Sequence, residues 1–195
     1  MPDSQMQATF LRSAVTLDQL PDDDKPHIAF VGRSNVGKSS VLNRLTGTKG
    51  LARESAEPGC TRTINIFDVD GHSYLIDLPG YGYAKASKAQ RESLSDMIFE
   101  YLSEARQLKM VLVIVDARRN VNDLDREMIA FLESRNIPFA LILNKMDKLS
   151  QSETVHLQRS LASDYPDIPT FPHSSVTGRG LIELRQAIEL AMRPE

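Results

Sequence analysis

Gly32-Arg33-Ser34-Asn35-Val36-Gly37-Lys38-Ser39 lies between an apolar run, His27 to Val31, and a segment, Lys38 to Leu45, in which Val41, Leu42 and Leu45 recur at helical spacing. Strand, glycine-bounded loop and helix in that order make the phosphate-binding P-loop pattern. Each residue type has a task there. Gly32 and Gly37 let the backbone turn tightly and point the N–H groups of Arg33, Ser34, Asn35 and Val36 at a phosphate, and the helix opening at Lys38 adds its positive end. Lys38 brings a full charge to the β- and γ-phosphates, and the Ser39 hydroxyl is a hard oxygen ligand for the magnesium ion that accompanies a nucleotide.

Outward from this loop, strand-length and helix-length patterns alternate. Thr63 to Val69 and His72 to Ile76 read as antiparallel strands around the tight connection Asp70-Gly71. Met110 to Val115 and Phe139 to Leu143 are apolar throughout, as in strands covered on both faces, and Thr170 to His173 is a short strand. Helices are expected at Ser87 to Arg106, Asp123 to Ser134, Ser150 to Ser163 and along the Leu181, Leu184, Ile188, Ala191 stripe. Ser150 and Glu153 form a capping-box pair. The alternation implies a three-layer α/β fold: a mostly parallel six-stranded sheet with one antiparallel edge strand and helices on both faces. Residues 1–25 read as a tail or extension packing on the core, and 26–195 as one nucleotide-binding domain.

Composition sets the frame. The chain has 195 residues, 41% hydrophobic and 25% charged, with a net charge of −3. Such a domain builds its core without staples. The lone Cys60 cannot form an internal bridge, which fits a reducing cytoplasm, and no segment reads as a signal or a membrane span. The net charge hides an asymmetry: from His27 to Asn65, Arg33, Lys38, Arg44, Lys49, Arg53 and Arg62 face only Glu54 and Glu57, leaving that stretch at +4. No metal-ligand spacing joins His27, His72, His156 and His173.

Three further motifs carry chemistry. Asn144-Lys145-Met146-Asp147 follows an apolar strand, at the carboxyl end where open parallel sheets bind ligands. The Asp147 carboxylate accepts two hydrogen bonds from guanine, from the ring N–H and the exocyclic amine, and adenine offers no such edge. Asn144 can brace the loops, and the Lys145 stem can lie over the base. Asp77-Leu78-Pro79-Gly80 ends another strand: Asp77 can hold magnesium through a water, and the Gly80 N–H can meet a γ-phosphate. In Pro58-Gly59-Cys60-Thr61-Arg62-Thr63, either threonine can complete the magnesium shell.

Taken together, GRSNVGKSS, PGCTRTIN at Pro58 to Asn65, DLPGYGYA at Asp77 to Ala84 and the Asp116-Ala117-Arg118 turn resemble the EngB/YihA/YsxC family of bacterial ribosome-assembly GTPases, within the Ras-like class. The likeness spans nearly the whole chain. It departs in two places: NKMD stands where the family often begins with Thr, and Cys60 where a basic residue is common. The resemblance implies that Thr61 is the magnesium-binding switch threonine and that His173, Ser174 and Ser175 make the last guanine-contacting segment. It implies a monomeric switch, cycling between GTP and GDP, that contacts ribosomal RNA or protein of a large-subunit assembly intermediate and affects cell division. The alternative is a catalytically weak, guanine-nucleotide-dependent scaffold in cell division.

Tyr81 stands where Ras-like proteins carry a water-orienting Gln, so intrinsic hydrolysis is expected to be slow. Similar GTPases with Asn at the position of Asn35 bind a potassium ion beside the phosphates, which implies potassium-stimulated turnover here. Catalysis is thus assigned to Lys38, Thr61, Gly80 and Asn35. Tyr81, Tyr83, Lys85, Lys88 and Arg91 together suit stacking on unpaired RNA bases and pairing with phosphates. Arg118 and Arg119 are expected to serve the fold or a partner.

Overall fold

The computed structural model describes residues 6–52, 63–82 and 87–193. Its strands are β1 (Ala8–Ala14), β2 (His27–Gly32), β3 (Ile64–Val69), β4 (Ser73–Asp77), β5 (Leu108–Asp116), β6 (Phe139–Asn144) and β7 (Thr170–Pro172), and its helices are α1 (Lys38–Thr46), α2 (Lys88–Glu104), α3 (Asp123–Ser134), α4 (Gln151–Asp164) and α5 (Leu181–Ala191). The strands form one sheet in the order β1-β3-β4-β2-β5-β6-β7. Only β3 runs against its neighbours.

The three-layer mixed α/β class is the expected one, with a seventh strand. That strand is β1, drawn from the segment read as a tail. It pairs with β3 from Ala8↔Val69 to Ala14↔Ile64, and the register shifts between Phe10 and Arg12. Only its end residues are buried. A sheet edge covered on neither face needs no apolar run, so ATFLRSA carries no strand signature. The following residues are tied down as well: Leu17 and Leu20 pack on the core, the Tyr74 hydroxyl donates to Asp23 at 2.8 Å, and Lys25 bonds Asp68.

Period-two alternation splits the apolar strands between two layers. Ala29, Val31, Ile76, Val111, Val113, Leu141 and Leu143 face Ile98 and Leu102 of α2, Met128 and Leu132 of α3 and Leu157 and Leu161 of α4. Ile28, Phe30, Leu75, Leu112, Ile114, Ala140 and Ile142 face Val41, Leu42 and Leu45 of α1 and Leu184 and Ile188 of α5. The β3–β4 turn takes positive φ at Asp70 and Gly71, but Val69 pairs with Ser73, so His72 joins the connection as a third residue. Capping boxes start α2 (Ser87, Gln90), α3 (Asn122, Asp125) and α4 (Ser150, Glu153). With six of the seven strands running the same way, the carboxyl ends of β2, β4, β5 and β6 gather at one rim, where the motif residues lie.

Candidate nucleotide-binding site

The loop after β2 is shaped by close backbone approach. A Cβ on Gly32 would stand 2.7 Å from the Ile114 carbonyl oxygen of β5, and one on Gly37, which has φ 97°, would stand 2.5 Å from the Asn144 side chain. Neither position admits a side chain. Gly37 is also the cap residue of α1 and has no side chain with which to cap it, so phosphate oxygens can take that role. Lys38 is buried and forms an ion pair with the equally buried Asp77 at the end of β4. No cluster of three or more His, Cys, Asp or Glu side chains among the described residues could hold a metal alone. Ser39 and Asp77 are hard oxygen donors beside the loop, which suits an ion that arrives already ligated by phosphates.

The segment after Asp77 prolongs the β4–β2 pairing along the P-loop. Leu78 N–H donates to the Phe30 carbonyl at 3.1 Å, Tyr81 N–H to that of Gly32 at 3.3 Å, and Ser34 N–H to that of Tyr81 at 3.0 Å. A Cβ on Gly80 would lie 3.2 Å from Ser34 N, Cα and Oγ, so this glycine sits against the phosphate loop.

At the far end of the rim, Asn144 binds the loops together: its amide donates to the Val36 carbonyl at 3.0 Å and its oxygen accepts from Ser175 Oγ at 3.2 Å. Lys145 reaches the Asn35 carbonyl at 2.7 Å. Asp147 accepts from Ser174 Oγ at 2.6 Å, and that hydrogen bond holds its carboxyl below the ordinary range. It is therefore an acceptor at neutral pH. Gly37, Asn144, Lys145, Asp147, Ser175 and Val176 line part of a cavity of about 840 Å³, a volume that takes a purine and its ribose.

The family model described as "50S ribosome-binding GTPase" matches residues 27–145. "Probable GTP-binding protein EngB" of Chlorobaculum parvum is 42% identical over 184 residues, covering 94% of this chain and 96% of its own. Its namesake in Leuconostoc mesenteroides subsp. mesenteroides is 44% identical over 182 residues, or 91% of this chain and 93% of its own. The chain belongs to the EngB family of GTP-binding proteins. Its domain is a GTPase domain. Among solved structures, one described as "Crystal structure of a probable GTP-binding protein engB" superposes with a TM-score of 0.72 at 28% identity, over 86% of this chain and 98% of that one. Era in complex with MgGDPNP and a 16S ribosomal RNA segment superposes with a TM-score of 0.70 at 26% identity, over 87% of this chain and 57% of Era.

Within this EngB-type site the structure brings together Gly32, Arg33, Ser34, Asn35, Val36, Gly37, Lys38 and Ser39 with Asp77, Leu78, Pro79 and Gly80 on one side and Asn144, Lys145, Met146, Asp147, Ser174 and Ser175 on the other. Gly59, Cys60, Thr61 and Arg62, with Tyr83 and Lys85, lie outside the described residues. Thr63 is described, and its hydroxyl bonds Asn65 at 3.4 Å. His173 contributes backbone rather than ring. Its N–H donates to Leu143 and its carbonyl accepts from Met146, while the imidazole is fully buried, and Val176, which the sequence reading passed over, lines the cavity instead.

Tyr81 departs most from expectation. Expected to suit stacking on unpaired RNA bases, it is instead buried, and its hydroxyl donates to Asp125 of α3 at 2.9 Å. Burial, then the Asp125 charge, pushes its pKa well above the usual value. Burial likewise raises the Asp125 carboxyl against the opposing bond from Tyr81. The Asn122-x-x-Asp125 box was readable as a helix start, but nothing local links it to Tyr81, 44 positions away.

The two buried histidines set an acid limit on stability. His27 accepts or donates at 3.0 Å to Tyr101 through Nδ1, and neither ring nitrogen of His173 has a hydrogen-bond partner among the described residues. Burial first, with Arg44 adding to it at His173, lowers both from 6.5 to about 4. Above 6.5 both states are neutral; between 6.5 and 4 only the unfolded chain takes up the proton, so stability falls as pH falls through that window. Each imidazole is expected to remove about 2 kcal/mol between pH 7.5 and pH 5. Urea midpoints at those two pH values should show the drop, and His173→Gln should lose about half of the histidine part of it.

Proposed function

We propose that this GTPase is a switch in assembly of the large ribosomal subunit: its GTP form docks on an assembly intermediate through RNA or ribosomal protein, and its GDP form leaves. The observation that supports the switch is the seating of Gly80 against Ser34 of the P-loop, which suits a Gly80 N–H that meets the γ-phosphate. The family description supports the ribosomal target, and Era, similar in fold, holds ribosomal RNA. We assign the protein to the cytoplasm, acting as a monomer. No helix among the described residues is long and apolar enough to cross a membrane.

Hydrolysis here rests on positioning and charge. With nucleotide bound, Lys38, paired with Asp77 here, would neutralise phosphate oxygens; Ser39, Asp77 and Thr61 would be the residues that hold a magnesium ion, Asp77 through a water. Bound magnesium supplies charge neutralisation on the phosphates. Asn35, exposed and at φ 68°, can ligate a potassium ion beside them. The Tyr81 hydroxyl is committed to Asp125 and does not orient the attacking water, so the unassisted rate is slow. That same commitment favours the catalytically weak scaffold reading, which phosphate release above background would exclude. With Tyr81 buried, Lys88 and Arg91 on the exposed first turn of α2 are the described groups of the second switch that can face RNA phosphate.

Turnover in potassium should exceed that in sodium, and Asn35→Ala should erase the difference; equal rates in the two salts would remove the potassium assignment. For the target, cell extract sedimented through a sucrose gradient in potassium with GTP, GDP or a non-hydrolysable analogue should place the GTP-state protein with large-subunit particles. Absence from ribosomal particles in every state would sink the assembly reading and leave the GTPase intact.

A further inference from the structure

Register brings a carboxylate that belongs to none of the expected binding motifs to the base site. Asp116 ends β5 directly opposite Asn144, which ends β6, and the Ala117 N–H donates to the Asn144 carbonyl at 2.9 Å. Asp116 is 7% exposed. One carboxylate oxygen accepts from the Arg118 backbone N–H at 3.1 Å and from its Nε at 2.9 Å; the other accepts from Arg118 Nη2 at 2.6 Å and from Lys145 Nζ at 2.9 Å. Burial works to raise this carboxyl, and the bonds from Arg118 and Lys145 outweigh it, so that it stays ionised well below the ordinary range.

Lys145 is thereby fixed at both ends. Its backbone is in the left-handed region at φ 69°, and its ammonium is shared between Asp116 and the P-loop carbonyl of Asn35. Between those anchors the stem runs close to the loop, with Cε 3.8 Å from where a Gly37 Cβ would be. A lysine side chain otherwise carries a large rotamer entropy, and a stem free to swing makes a poor wall for a planar base. Arg118 neutralises Asp116, which leaves the Lys145 charge uncancelled at the site.

We propose that Asp116, clamped by Arg118, is a positioning residue for guanine-nucleotide binding: it holds Lys145 across the base slot and against the P-loop. This rests on the guanine-nucleotide reading of the same site. Because the action is on the base end, affinity should suffer while the chemical step at the phosphates does not.

The test uses the full chain and fluorescent GDP and GTP analogues. Asp116→Asn is expected to weaken both about tenfold, with KM rising in step and kcat at saturating GTP changing less than twofold. Arg118→Ala, which leaves the Asp116–Lys145 bond, should weaken binding by a smaller factor, and Asp116→Glu should recover part of the loss. Decisive is the cycle with Lys145→Ala: in that background Asp116→Asn should cost nothing further. Full additivity of the two losses, or unchanged affinity in Asp116→Asn, would overturn the proposal. A wild-type chain that binds neither analogue would overturn the guanine-nucleotide reading instead. If Asp116→Asn fails to fold, the same cycle run with Arg118→Ala decides: a loss that persists undiminished without the Lys145 ammonium counts against the clamp.

Discussion

Asp147→Asn is expected to convert a guanine site into a xanthine site. Ser174 holds one Asp147 oxygen at 2.6 Å, and the carboxylate faces the cavity with acceptors only. Guanine presents two donors there, its ring N–H and its exocyclic amine. An asparagine keeps one acceptor and substitutes a donor for the other, which meets the guanine amine donor to donor. Xanthine replaces that amine with a carbonyl and restores both bonds. A site that must leave a buried polar group unpaired discriminates by about 10⁴-fold, so GTP affinity should fall by roughly 10³ to 10⁴ and XTP affinity should rise to replace it. Competition of GTP, XTP and ATP against a fluorescent nucleotide measures this. Unchanged preference for GTP in Asp147→Asn would mean that the base is read elsewhere in the cavity.

Lys38→Ala should be the most damaging substitution to the protein itself as well as to its chemistry. Side chains of Lys38 and Asp77 are only 9% and 4% exposed, and they neutralise each other. Removing one partner of a buried pair leaves an uncompensated charge, at a cost of about 3 to 5 kcal/mol. Urea unfolding without nucleotide should register that loss, and adding Asp77→Asn in the same chain should recover most of it, because the stranded charge is gone. Phosphate release should fall to background in Lys38→Ala and stay there in the double variant. The stability rescue tests Lys38 as counter-ion of Asp77. Its role as charge donor to the phosphates is read from phosphate release in Lys38→Ala alone, below its unfolding transition, because Asp77→Asn itself removes a group that serves the magnesium ion. If Lys38→Ala unfolds at the same urea concentration as the wild type, the pair is not holding the fold.

Much of this was legible in the residue order. The apolar runs of β2, β5 and β6, the α1 stripe and the α4 capping box stood within a residue or two of their final places. These are local signals, set by side-chain periodicity and by residues three or four apart. The motif residues of the site were legible for the same reason, since glycine spacing and strand ends are local facts. Edge strand β1 was not, because its exposed middle carries no burial pattern. His173 was read as a contact to the base, yet its ring is buried and its backbone does the bracing.

By itself, then, the amino-acid sequence determined the α/β alternation, the P-loop pattern, the Asn144–Asp147 motif at the end of β6 and membership of a GTPase family. Tertiary structure alone decided how those parts are held: Lys145 bridging Asn35, 110 positions away, and Asp116, 29 away; Tyr81 turned inward onto Asp125; Gly80 seated on Ser34. The physical reason is one of range. Periodicity and turn chemistry act between neighbours in sequence, while hydrogen bonds and ion pairs in a buried rim depend on distances of about 3 Å, and strand register, set by the packing of the whole sheet, brings those partners together.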